Sequence, residues 1–181
     1  YSSQDRRMKR LLIYLLTTCC LQCLIAQQTA LRETLGQYFR VGCAVNNTIV
    51  QYPQSKAHQH VCQQFNSVVA ENCMKAETLS PREGEWNWSQ ADAFVAFGQA
   101  NGMQVIGHCL IWHSQTADWM FRDQNGDEVS RSVLIQRMHW YIHTVVGRYK
   151  GRVAGWDVCN ECFESAHGDK AHGSVLSVMI I

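Results

Sequence analysis

Two dipeptides in this chain place a carboxylate and an amide at the close of an apolar run. Asn160-Glu161 follows "VAGWDVC" (153 to 159), and Glu71-Asn72 follows "SVVA" (67 to 70). His108 and His113 lie between them in the chain. A carboxyl group at the end of a buried strand can give up and take back a proton during a reaction, and such a Glu usually works with a second carboxylate. Amide and imidazole groups add hydrogen bonds. Which elements bring these groups together, and where the second carboxylate lies, are the questions the rest of the chain must answer.

The elements alternate regularly. Tyr38 to Val45 reads as a strand, Ser55 to Phe65 as a helix, and Ser67 to Glu71 as a second strand. Ser89, with Asp92 three residues on, predicts a capping-box start to a helix that runs to Asn101, where Gly102 supplies the stop. Gln104 to Trp112 predicts a third strand, Arg131 to Tyr149 a long amphipathic helix capped by Ser130 and ended by Gly151, and Val153 to Cys159 a fourth strand. A βαβαβαβ order implies parallel pairing with right-handed crossovers. Glu71-Asn72, His108, His113 and Asn160-Glu161 then fall at or near the C-terminal ends of consecutive strands, the face where parallel barrels and open sheets carry their sites. Any one of them alone would read as a satisfied polar group. Four groups at one end argue for a site, whereas His58 and His60, on a helix, read as ordinary helix residues.

Composition bounds the function. The chain has 181 residues, 46% hydrophobic content and a formal net charge of +1, enough for about one globular domain. No Lys/Arg run is long enough to track a phosphate backbone, so no nucleic-acid partner is expected. Residues 1–7 precede the first Met, Met8, and 8–26 read as a secretory signal, with Met8-Lys9-Arg10 before an apolar stretch to Ala26. That stretch is too short for a comfortable membrane span, so export to a secreted or periplasmic location is expected, with no membrane association once the signal is removed. Cys19, Cys20 and Cys23 fall in the signal; Cys43, Cys62, Cys73, Cys109, Cys159 and Cys162 read as core thiols rather than a disulfide framework. Cys159-x-x-Cys162 lacks a second such pair, and no metal site is assigned. Trp86, Trp88, Trp140 and Trp156 are expected to pack the shell and core.

Three motifs carry a family resemblance. "FNSVVAENCMK" (65 to 75), "GHCLIWHSQTADW" (107 to 119) and "VVGRYKGRVAGWDVCNE" (145 to 161) resemble, in order, the second-strand, third-strand and fourth-strand motifs of glycoside hydrolase family 10, the endo-β-1,4-xylanases, which are (β/α)8 barrels. The resemblance implies an α/β fold, the N-terminal half (strands 1–4) of a truncated TIM barrel, with 36–169 as a partial catalytic domain and 170–181 unmatched. It makes Glu161 the general acid/base and Asn160 the donor to the sugar 2-hydroxyl. Glu71, Asn72, Lys75, His108 and Trp112 then line the glycone side near subsites −1 and −2, with His113 in support. The implied partner is xylan or a xylo-oligosaccharide, neutral and rich in hydroxyls; no cofactor is expected, and the complete protein is expected to be a monomer.

The departures matter too. Cys73 stands where the family usually repeats Glu, and Ala76 where it usually has Trp, which should weaken the bracing of the second-strand loop. The family's nucleophile Glu follows the seventh strand, and no such motif follows Glu161; Glu164 is a poor substitute. The residues beyond Ala26 also fall well short of the ~250 of a typical barrel. The expected function is therefore a fragment of a secreted, retaining endo-β-1,4-xylanase. A carbohydrate-binding remnant without chemistry is the alternative, and a His/Cys metal site a further one.

Overall fold

The computed structural model describes residues 29–161 and the strand 178–180, and every element below belongs to the unit Leu31–Ile181. The signal at 8–26, Cys162, Glu164 and most of the tail from 170 lie outside the described residues. The elements run α1 (Leu31–Thr34), β1 (Gly42–Val45), α2 (Asn47–Gln51), α3 (Lys56–Gln64), β2 (Ser67–Ala70), α4 (Ala76–Leu79), α5 (Ser89–Ala100), β3 (Gln104–Gly107), β4 (Ile111–Trp112), a short 3₁₀ turn (Asp118–Met120), α6 (Arg131–Arg148), β5 (Gly155–Asn160) and β6 (Val178–Ile180).

Strands β1, β2, β3 and β5 pair side by side and all parallel, with helices in the crossovers, which is the strand–helix repeat of part of a (β/α)8 barrel. β6 pairs antiparallel with β5 and so falls outside that repeat. The two faces of the sheet differ, as the period of two in a strand requires. Val68 and Val105 point to α5: a Cβ at Gly98 would meet Val105 at 2.3 Å and Val68 at 3.4 Å. They join Phe94, Val95 and Tyr141 in one buried cluster. On the opposite face Ala44, Val69, Ile106 and Asp157 line an open cavity of about 290 Å³.

Local chemistry explains most boundaries. Ser55 Oγ accepts the His58 N–H at the start of α3, and Ser130 accepts from Val133 at the start of α6. Gly102, with φ of +63°, ends the α5 turn in the left-handed region as expected. The capping box at Ser89 does not form. Helix α5 begins at Ser89 with Trp88 as its cap and no side-chain cap bond. Asp92 turns away instead to Arg148, which meets it through two nitrogens, and to the Tyr149 hydroxyl at 3.1 Å. A charge-assisted pair outcompetes a local backbone bond, and this one ties the start of α5 to the end of α6.

Three strand boundaries also shift. Tyr38 and Phe39 donate their backbone N–H groups to Leu35 in a turn, stay exposed, and leave β1 to start at Gly42. Val153 still bonds back to Tyr149, so β5 runs from Gly155 to Asn160. Gln104 to Trp112 is not one strand but two, β3 and β4, for a reason taken up below.

The tryptophans pack as expected. Trp86 stacks on Trp88 at 4.5 Å and on Tyr141 of α6 at 5.8 Å, with Trp140 tilted against it at 5.2 Å. Trp156 is buried at 8% exposure, and the ring lies so close to Gly107 that a Cβ there would meet its Cε3 atom at 2.1 Å. Only glycine permits that approach.

Candidate active site

The break between β3 and β4 sets the geometry. Gly107 pairs with Trp156, and Ile111 with Cys159. Four steps on one strand therefore match three on the other, so one extra residue bulges out of the ladder at His108 to Leu110. The His108–Cys109 peptide in this bulge is cis. A bulge re-aims side chains, and here it sets His108 against Asp157 of β5, Nδ1 to Oδ2 at 2.8 Å. A carboxylate only accepts, so Nδ1 carries the proton and donates. Leu110 N–H donates to the Asp157 carbonyl at 3.0 Å, closing the bulge.

Beyond the bulge, Trp112 pairs with Asn160 in the last rung of the β4–β5 ladder. Glu161 follows directly with φ of +53°, a left-handed turn that an L residue adopts only when its surroundings hold it there. What holds it is visible. Trp112 Nε1–H donates to Glu161 Oε2 at 2.8 Å, and His113 Nε2 stands 3.6 Å from the same oxygen. The Glu161 side chain keeps 34% of its surface open, so the carboxyl is oriented yet reachable. Thr116 Oγ donates to the Trp112 carbonyl at 2.7 Å and fixes the turn behind the indole.

The second cluster hangs on Lys75, which is 8% exposed. A buried ammonium needs partners, and Nζ donates to Asn72 Oδ1 at 3.0 Å and to Gln115 Oε1 at 2.6 Å. It also stands 4.8 Å over the Trp112 ring, a cation–π contact that joins this cluster to the indole holding Glu161. Glu71 is exposed at the end of β2, and its backbone N–H continues the ladder to Val45 at 3.1 Å. Its carboxylate has no hydrogen-bond partner among the described residues. Cys73 and Ala76 are both buried, and the loop they share is tied by a backbone bond from Glu77 to Gln115 at 2.9 Å.

Thus Lys75, Asn72, Trp112 and Glu161 form one connected group, with His113 at its edge. His108 reaches Asp157 instead, and Asn160 sits half-buried opposite Trp112. Two residues of the constellation were not singled out from sequence. Gln115 reads as an ordinary polar loop residue and carried no signal. Asp157 did carry one: a charged side chain inside an apolar strand needs a partner, and a His at the end of the preceding strand is a natural one. The Cys109 thiol lies in the bulge, and burial raises it to about 11, the Lys75 ammonium opposing and the Asp157 carboxylate adding to the shift. It stays protonated and is no nucleophile.

A cavity of about 880 Å³ opens to one side, lined by Glu77, Asp118, Trp119, Arg122 and Arg137 among others, and includes neither Glu161 nor Lys75. Its cations are already engaged: Arg137 donates to the Trp119 and Arg122 carbonyls and to Glu83, and Arg122 to the Gly126 carbonyl. The strand-end group of Lys75, Asn72, Trp112 and Glu161 therefore stands apart from this cavity.

A parallel strand–helix sheet whose polar groups gather at the C-terminal strand ends defines part of a (β/α)8 barrel of the enzyme-bearing kind. The profile described as "Glycosyl hydrolase family 10" matches residues 30–180, and the chain belongs to that family. It is 48% identical over 134 residues to endo-1,4-beta-xylanase A of Xylanibacter ruminicola, covering 74% of this chain and 36% of that protein. A psychrophilic family 10 endo-beta-1,4-xylanase superposes with a TM-score of 0.73 at 36% identity, over 82% of this chain and 45% of the other. A variant solved in complex with xylotriose superposes with a TM-score of 0.70 at 33% identity, over 76% and 41%. The chain therefore spans 36% to 45% of the length of these relatives.

Proposed function

We propose that this chain carries the acid/base half of an endo-β-1,4-xylanase. The carrying observation is the 2.8 Å bond from Trp112 Nε1–H to Glu161 Oε2 at the C-terminal end of β5. It leaves the other carboxyl oxygen to face a substrate. In this reading Glu161 protonates the oxygen leaving an internal xylosidic bond and later activates the water that releases the product. Asn160 binds the neighbouring 2-hydroxyl. Glu71, Asn72, Lys75, His108 and Trp112 grip the glycone side, where Lys75 and Asn72 are positioned by each other and by Gln115. The names of two matched relatives, both xylanases, and the xylotriose bound in a third matched structure support the substrate class.

A retaining mechanism needs a second carboxylate about 5 Å from the first to attack the anomeric carbon. That nucleophile is assigned to the end of the seventh strand of the full barrel, and the intact enzyme is read as exported and monomeric. Among the described residues no helix is long and apolar enough to cross a membrane. The Lys75–Asn72–Gln115 cluster closes within this chain, so sugar binding without hydrolysis is the competing reading.

The test joins this chain, after Glu161, to the fifth-to-eighth-strand segment of a family 10 relative. Hydrolysis of xylan with retained anomeric configuration, read by NMR at early times, is expected. Inversion, or tight xylo-oligosaccharide binding by a folded chimera that releases no product, would overturn the assignment.

A further inference from the structure

His139 and His143 lie four residues apart on α6, so their side chains rise from one face of the helix. Both are exposed, and their ring centroids are 4.2 Å apart. The other described histidines have different partners. His58 donates to the Ile49 carbonyl and abuts Phe97, His60 abuts Phe65, His108 meets Asp157, and His113 meets Glu161. His139 and His143 have only each other among the described residues, and no hydrogen bond engages their ring nitrogens.

Two nitrogens each about 2.0–2.1 Å from one metal ion stand roughly 3 Å apart, a gap that rings with centroids 4.2 Å apart can span by rotating about their side-chain bonds. Imidazole suits Zn²⁺, Cu²⁺ and Ni²⁺, with Cu²⁺ held most tightly of the three. We propose that His139 and His143 form a two-imidazole chelating site for a borderline divalent metal ion, with water filling its other positions. Among the described residues no group of three or more His, Cys, Asp or Glu side chains gathers, so the site is a surface chelate and not a closed structural centre. It is separate from the strand-end cluster, since neither imidazole contacts Glu161, Lys75 or Trp112. Because the spacing exists only while α6 is helical, a bound ion also stabilises that helix.

The probe is Ni²⁺-nitrilotriacetate, whose metal has two adjacent open positions, titrated into the full chain without any affinity tag. His139→Gln and His143→Gln sit at exposed helix positions that Gln tolerates, and thiols are equal in every variant. Each should weaken binding about tenfold or more, because the second imidazole no longer acts at high local concentration. Adding Ile135→His to His143→Gln rebuilds the four-residue spacing with His139 and should restore affinity. Equal binding by the parent and both single variants would overturn the site, as would an I135H/H143Q chain that binds no better than H143Q.

Discussion

The indole of Trp112 donates to the carboxylate of Glu161 across 2.8 Å, from the last rung of β4 to the residue just past β5. The two residues are neighbours because a bulge at His108 to Leu110 advances β4 by one position against β5. A charge-assisted bond of this length should report on the carboxyl directly. In ¹⁵N-resolved NMR the Trp112 indole N–H resonance should shift in Glu161→Gln, because an amide oxygen accepts more weakly than a carboxylate. An unchanged Trp112 resonance in that variant would mean the bond does not persist in solution.

The close approach of Gly107 to Trp156 predicts a steep penalty for one methyl group. Gly107→Ala places Cβ within 2.6 Å of three ring atoms of Trp156, all part of a rigid indole. Overpacking of that kind costs about 1–3 kcal/mol, read as a lowered denaturation midpoint. Pairing it with Trp156→Leu should recover part of the loss, and strictly additive losses would show that the ring is not the obstacle.

Sequence made the alternation of strands and helices legible because Val-rich runs, serine caps and Gly102 each act locally. The strand break at His108 was not legible, since a bulge depends on how β5 registers against its neighbour. Asp92 shows the same limit from the other side. Three residues after Ser89 it fits a capping box, yet Arg148, 56 residues away, wins it. Of the candidate site, strand-end position pointed to Asn72 and Glu161 and the family resemblance to Lys75 and Trp112, and the four come together. Gln115 was missed because its role exists only when the loops after β2 and β4 meet.

Asp92 should shape acid stability. The hydrogen bond from Arg148, helped by Tyr149, holds its carboxyl below the ordinary Asp value. The unfolded chain therefore binds more protons between the two values. The contribution is complete above about pH 4, the ordinary Asp range, and is lost as pH falls through the folded value. The pair is a third exposed, so screening keeps the effect on the order of 0.5 kcal/mol. Asp92→Asn should flatten that part of the stability–pH curve, and an identical acid limb in the variant would contradict the clasp.

Buried thiols should resist alkylation. Burial raises Cys73 to about 12 and Cys109 to about 11. Against an ordinary Cys at 9.0, Cys73 should hold about a thousandfold less thiolate at pH 8. Mass spectrometry after iodoacetamide labelling of the folded chain should find both unmodified while the half-buried Cys62 reacts faster. Rapid labelling of Cys73 under folding conditions would count against the packing of the loop after β2.

The central claim is that Glu161 is the proton donor to a leaving sugar oxygen, and the most direct measurement compares leaving groups. In the barrel completed with strands five to eight, Glu161→Gln removes the acid but keeps the shape and the Trp112 contact. Turnover of xylan, whose leaving oxygen needs protonation, should fall by about 10²–10⁴-fold, while the glycosylation rate on an activated aryl xylobioside, whose leaving group departs unaided, should fall far less. Equal losses on both substrates, or xylan turnover left unchanged, would contradict the assignment.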